Sequence, residues 1–242
     1  MENNAWLILL AVISYLLGSL PTSYLVAQKI AGKDIRAEGS GNIGAMNTLR
    51  VLEAEKSAKL AVRGFGLVLI GDVGKAVLVI FLAKWLAFLQ YDLRLALIIS
   101  SFFVILGHNY SIAFKFKSGG RGIACLMGIL LALDWRSFFV WGGTVLIAIF
   151  VAQHLLVRKI NWKDFSGVFS VIGSQILGRV GGMIVALVPL YFLDSRLFFP
   201  TLAATVLVTI KHLERVKNYM AELGKSPKIV VDDETSGAKN NP

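Results

Sequence analysis

Long apolar runs, separated by short polar segments, organise this chain. The clearest extend from Ala5 to Ile30, Phe65 to Leu89, Leu93 to Phe114, Phe138 to Val157 and Val168 to Leu193. A bilayer crossing takes roughly 20 apolar residues, so each run predicts a transmembrane helix. Two more runs, Gly122 to Leu133 and Leu197 to Ile210, fall short of spanning length. Each is either a half-helix protected by surrounding protein or a helix that borrows polar flanking residues. Counting both predicts an all-α fold, a polytopic membrane helical bundle of about seven transmembrane helices. Met1 to Trp6 lacks a basic stretch, and the apolar run after it is too long for a signal peptide, so the first segment is expected to stay attached. Beyond Ser226 the pattern lapses. Residues 1–225 are read as one integral membrane domain without an internal repeat, and residues 226–242, ending in "DDETSGAKNNP", as a disordered cytoplasmic tail.

Composition agrees with the pattern. The 242 residues are 56% hydrophobic with a mean hydropathy of +0.68, well outside the range of a soluble domain that must cover its surface with polar groups. Cys125 is the only cysteine, which excludes an internal disulfide or a cysteine-based zinc cluster within one chain and reads as a free buried thiol.

The net charge of +10 raises the question of nucleic acid, but the basic residues sort by membrane side. With seven crossings and an outside N-terminus, the cytoplasmic segments hold Lys29, Lys33, Arg36, Arg50, Lys56, Lys59 and Arg63, then Lys115, Lys117 and Arg121. They also hold Arg158, Lys159 and Lys163, then Lys211, Arg215, Lys217, Lys225 and Lys228. The opposite side holds only Lys84, Arg94, Arg136 and Arg196. This bias predicts an N-terminus outside and a C-terminus in the cytoplasm. It also accounts for the surplus charge without a nucleic-acid partner.

Three polar segments then fall on the cytoplasmic face: "GSGNIGAMNTLR" at 39–50, "FKFKSGGRGIA" at 114–124 and "KHLERVKNYM" at 211–220. Glycine lets backbone N–H groups approach an anion closely, asparagine and serine add donors, and arginine and lysine supply counter-charge. The first two loops are therefore candidates for binding phosphate beside the bilayer. The alternative is that glycines only permit tight turns and close helix packing, as at Gly142-Gly143 and Gly181-Gly182.

The first motif, Ser40 to Arg50, the helix before it ("SYLLGSLPTSYLVAQ"), and the "GDVGKA" stretch with Asp72 and Lys75 resemble a known family. So do Gly107-His108-Asn109-Tyr110, Gly119-Gly120-Arg121-Gly122, and His212 with Glu214. The family is the bacterial acylphosphate:glycerol-3-phosphate acyltransferases of the PlsY type, and the resemblance covers most of the chain. It departs from the family pattern at Met46 (usually threonine), Ser111 (proline), Arg121 (lysine) and Arg215 (asparagine), and by a one-residue insertion at Ser118. Asn218 lies too far round a helix to substitute for that asparagine. These changes keep positive charge at the phosphate loop and remove neutral donors.

The resemblance implies an acyltransferase of phospholipid synthesis in the bacterial inner (plasma) membrane, with its active site facing the cytoplasm. A fatty acyl phosphate would give its acyl group to the 1-hydroxyl of sn-glycerol 3-phosphate, releasing lysophosphatidic acid and phosphate. The donor is already activated, so alignment and charge stabilisation are the main demands. None of His108, His154 or His212 opens a His-x4-Asp dyad and no Gly-x-Ser-x-Gly elbow is present, which disfavours an acyl-enzyme. Direct attack is expected, with a donor phosphate oxygen taking the proton.

On that basis Ser40 and Arg50 are assigned to the acyl phosphate, with the backbone of Gly41 to Gly44 and the side chains of Asn42 and Asn47 on its oxygens. Gly119, Gly120, Arg121 and Gly122 are assigned to glycerol 3-phosphate. Lys75 and Asp72 should face a cavity or pair across one turn of their apolar helix. His212 either contacts substrate or caps the last helix near the interface, His108 is read as structural and His154 as interfacial. Arg179 has three readings: a pair inside the bundle, a lipid headgroup, or substrate. Ser166 and Ser170 are further candidates for the pocket. No feature calls for a metal, nucleotide or flavin. Membrane lipids are the expected surroundings, and the oligomeric state is left open. The rival readings are a transporter for a phosphorylated small molecule, which often shows paired repeats, and a non-catalytic relative that only binds lipid phosphate.

Overall fold

A computed structural model, describing residues 5–88, 92–117, 119–156 and 171–223, folds the apolar runs into a bundle of helices. No strand occurs among the described residues. The tail and Ser118, Ser166, Ser170, Arg158, Lys159, Lys163, Lys225 and Lys228 lie outside them, as do the run ends at Leu89, Val157 and Val168.

The first run is not one continuous helix. It forms α1 (Ala5–Gly18) and α2 (Thr22–Ala31), separated around Pro21, whose ring and missing N–H break the hydrogen-bond ladder. Carbonyls freed by the break find side-chain donors: Ser111 Oγ donates to the Ser19 carbonyl at 2.6 Å, and Lys75 Nζ to that of Leu20 at 3.1 Å. A polar loop leads into α3 (Ala45–Glu55), followed by α4 (Ala58–Phe88), which at about 1.5 Å per residue runs some 46 Å. The Asp92 side chain caps α5 (Leu93–Asn109) by accepting from the Leu95 N–H at 3.1 Å. Then come α6 (Ile123–Leu133), α7 (Trp135–Leu156), α8 (Ile176–Val185), α9 (Leu187–Leu193) and α10 (Phe198–Leu223).

Six segments are long and apolar enough to cross a membrane: 5–31, 58–88, 93–114, 135–156, 176–193 and 195–221. This is a multi-pass membrane protein. The two short runs resolve differently. Leu197 to Ile210 belongs to α10, which continues through polar residues to Leu223 and so reaches spanning length. The other run stays short as α6, only about 16 Å long. Its Cys125, Leu126, Ile129 and Leu130 are fully buried among α4, α5, α7 and α10, so protein rather than lipid surrounds it. Outward-facing side chains such as Phe88 and Phe192 are more than 80% exposed, the surface expected against hydrocarbon.

Close packing explains some glycines and not others. A Cβ on Gly182 would stand 2.9 Å from the Cα of Val145, so α7 and α8 can meet only without it. Gly142, Gly143 and Gly181 would meet nothing within 4 Å, which corrects the expectation that the Gly142-Gly143 pair serves helix packing.

Candidate active site

The loop ahead of α3 is built around Asn47. Its Oδ1 accepts the Ser40 N–H at 2.9 Å, and its Nδ2 donates to the carbonyls of Glu38 at 3.0 Å and Ile35 at 3.3 Å. Asn47 is 1% exposed and all its amide hydrogens are used, so it fixes the loop. Gly41 turns the chain at φ +65°, a conformation open chiefly to glycine, and its N–H is bonded to the Glu38 carbonyl. The Gly44 N–H is likewise engaged, with the carbonyl of Asn42 at 3.1 Å. The Gly41 and Gly44 N–H groups are thus already engaged, and the residues that open the first turn of α3, Ala45 and Met46, face the interior.

That turn opens onto a cavity of about 640 Å³. Ser40, Asn42, Gly44, Asn47 and Arg50 line one side, Arg121 and Gly122 another, and Asp72, Arg179, His212 and Arg215 the rest of the polar end. The N-terminus of α6 also faces it, through Gly122, Ile123 and Ala124. Two helix N-termini thus direct their positive ends into one space. So do the guanidinium groups of Arg50, Arg121, Arg179 and Arg215, none of which pairs with a carboxylate among the described residues. Burial, followed by repulsion from Arg215 and Arg50 and partly offset by Glu214, pushes the Arg121 pKa down to about 10. It remains a cation at neutral pH, in surroundings that an anion would relieve. The far end of the cavity is apolar, walled by Phe65 and Leu69 of α4, Met127 of α6, and Phe138 and Trp141 of α7.

Other expected residues sit behind this wall. Lys75 is 6% exposed and does not line the cavity; its ammonium meets Asp72 Oδ1 at 2.9 Å, His108 Nδ1 at 3.0 Å and the Leu20 carbonyl at 3.1 Å. The Thr22 hydroxyl donates to the same Asp72 oxygen at 3.0 Å. The expected pair across one helical turn is present, and it ties α4 to α5 and to the break in the first span. Asp72, His108 and Cys125 offer ligand atoms within 4.8 Å of one another, but the Lys75 ammonium already stands against two of them as their cation. Gly119 and Gly120 also lie behind the cavity, packed on the end of α5, where the Gly120 N–H donates to the His108 carbonyl at 2.9 Å. A Cβ on Gly120 would stand 2.0 Å from His108 Nε2.

His212 is fully buried at the polar end, with Nδ1 2.8 Å from the Val208 carbonyl and Nε2 without a partner among the described residues. It caps nothing, because α10 runs on to Leu223. The Nδ1 contact assigns the proton to that nitrogen and leaves Nε2 as an acceptor.

Three departures from the family pattern acquire local reasons. Ser111 donates to Ser19 and accepts from the Ala113 N–H at 3.2 Å, starting the 3-10 turn at Ile112–Phe114. Met46 reaches across to the segment before α8: a Cβ on Gly173 would be 3.0 Å from its terminal methyl. Arg215 joins the guanidinium cluster. Arg179, unresolved between three roles in the sequence, also belongs to the cavity, and its Nη2 donates to the Ile172 carbonyl. Its one visible signal was a charge inside an apolar run.

A family model described as glycerol-3-phosphate acyltransferase matches residues 8–222. A glycerol-3-phosphate acyltransferase of Clostridioides difficile is 32% identical over 181 residues, 74% of this chain and 82% of its own length. One from Carboxydothermus hydrogenoformans is 39% identical over 155 residues, 62% of this chain and 72% of its own. Among solved structures, the glycerol 3-phosphate form of PlsY, an integral membrane glycerol 3-phosphate acyltransferase, aligns with a TM-score of 0.63 at 24% identity. It covers 90% of this chain and 94% of PlsY, which shows a shared fold.

Proposed function

Because this chain belongs to the glycerol-3-phosphate acyltransferase family, we propose that it transfers a fatty acyl group from acyl phosphate to the 1-hydroxyl of sn-glycerol 3-phosphate. The observation that carries the reading is one cavity whose polar end gathers two helix N-termini and four guanidiniums that have no carboxylate partner among the described residues, and whose other end is apolar. Both reactants are phosphate anions, and one has a hydrocarbon tail. The cavity suits them together.

In the proposed reaction the acceptor hydroxyl oxygen attacks the acyl carbonyl carbon, the carbonyl–phosphate oxygen bond breaks, and the hydroxyl proton leaves on the released phosphate. The residues bind and align. Arg50, Ser40 and the first turn of α3 hold the donor phosphate. Arg121, Gly122 and Arg215 hold glycerol 3-phosphate, and His212 Nε2 offers an acceptor to a substrate hydroxyl. Lys75 acts from behind as a positioning residue, through Asp72, which lines the cavity. The protein is read as sitting in the plasma membrane with seven crossings, its N-terminus outside and this cavity facing the cytoplasm. Positive charge supports that orientation: Arg50, Arg121 and Arg215 meet at one end, whereas Lys84 reaches the Ala132 carbonyl at the C-terminal end of α6.

Protein purified in detergent, given acyl phosphate and glycerol 3-phosphate, is expected to form lysophosphatidate and phosphate in equal amounts. Arg50→Ala should abolish both. Uptake of a phosphorylated solute by reconstituted vesicles, with no phosphate released, would replace this reading with a transporter. Binding of lipid phosphate without turnover would replace it with a non-catalytic relative.

A further inference from the structure

Gly142 and Gly143 stand in the middle of α7 and line the apolar part of the cavity. Glycine within a helix is destabilising relative to alanine, so its presence twice in succession calls for a reason. Backbone conformation is not the reason, because neither residue has positive φ. Packing is not either, since a Cβ on each would meet nothing within 4 Å. What the missing side chains leave is space in the cavity wall.

The space lies at a telling height. Cavity-lining residues of α7 extend from Ile149, beside α8 and the polar end, to Phe138, eleven residues or about 16 Å along the helix axis. The glycine pair falls roughly 10 Å from Ile149. Its neighbours on the same wall, Leu146 and Phe139, are 42% and 64% exposed, so at this height the cavity opens sideways toward lipid.

We propose that Gly142 and Gly143 form a window in α7 that sets acyl-chain specificity, letting the tail of a long-chain donor pass the helix and continue into the bilayer. Short tails end before the window; long tails need it. This rests on the acyltransferase reading, and it makes the tail length, rather than the phosphate, the property these residues read.

The test compares Gly143→Leu and Gly142→Leu with wild type and with Gly181→Leu, a glycine that also has free space but does not line the cavity. Transfer from octanoyl and hexadecanoyl phosphate is measured, together with the thermal stabilisation given by octyl and hexadecyl phosphate. The window variants are expected to lower the hexadecanoyl-to-octanoyl ratio of kcat/KM at least about tenfold, the discrimination a filled apolar pocket can give. They should also lose the extra stabilisation by hexadecyl over octyl phosphate, while Gly181→Leu keeps wild-type ratios. An unchanged ratio in folded window variants, or an equal change in Gly181→Leu, overturns the proposal. If wild type transfers no acyl chain, the enzyme reading fails, and the alkyl phosphate stabilisation still decides the window.

Discussion

Lys75 and Asp72 illustrate what a charge inside an apolar helix requires. Each is nearly inaccessible, and each is the other's principal partner at 2.9 Å. Lys75→Met would leave a buried carboxylate without its cation, a change that costs about 3–5 kcal/mol, whereas Lys75→Met with Asp72→Asn removes both charges and should recover much of the loss. Thermal unfolding of the two variants in detergent measures the difference; equal midpoints would show that the pair is not coupled. Pairing across one turn could be read from the sequence because it follows from helical spacing. That Lys75 also holds His108 and Leu20, with no donor left for substrate, could not, because those partners lie 33 and 55 residues away. Asn47 gives the same lesson. Its position in a polar loop suggested a free donor, and only the folded loop shows the amide bound to three backbone groups.

Among the helices, the contacts that admit no side chain are the ones most sensitive to change. A Cβ on Gly18 would stand 2.2 Å from the Val104 carbonyl oxygen, and one on Gly107 2.1 Å from that of Tyr15, so α1 and α5 meet backbone to backbone. Gly107→Val should destabilise by about 1–3 kcal/mol through overpacking. Asp92→Ala, which removes only the cap of α5, should cost about 1 kcal/mol. Chemical denaturation would order them, and the reverse order would contradict the packing. Long runs made most helices legible from sequence. The break at Pro21 had its signal in the sequence, a proline among Gly18, Ser19, Thr22 and Ser23, but the hydropathy of the run as a whole passes across it. The full length of α10 was hidden for the opposite reason: its last turns are polar.

At the scale of the whole molecule, the repulsion among the four arginines has a sign that can be tested. Burial first, and then the neighbouring arginines, disfavour the Arg121 charge in the folded protein at any pH below about 10, and this penalty fades only as pH rises from there toward the ordinary arginine range. A bound dianion offsets it at neutral pH. Inorganic phosphate should therefore raise the unfolding midpoint, by the equivalent of about 2.7 kcal/mol at one hundred times its dissociation constant, and Arg121→Ala should reduce the gain. A midpoint indifferent to phosphate would argue against an anion site. The sideways opening of the cavity has one more consequence. A donor that arrives from the hydrocarbon, and a product that leaves into it, never count as solutes; their effective concentration is a mole fraction in the surrounding amphiphile. Adding inert detergent at fixed amounts of enzyme and donor should slow turnover by surface dilution, even though nothing in the aqueous phase has changed.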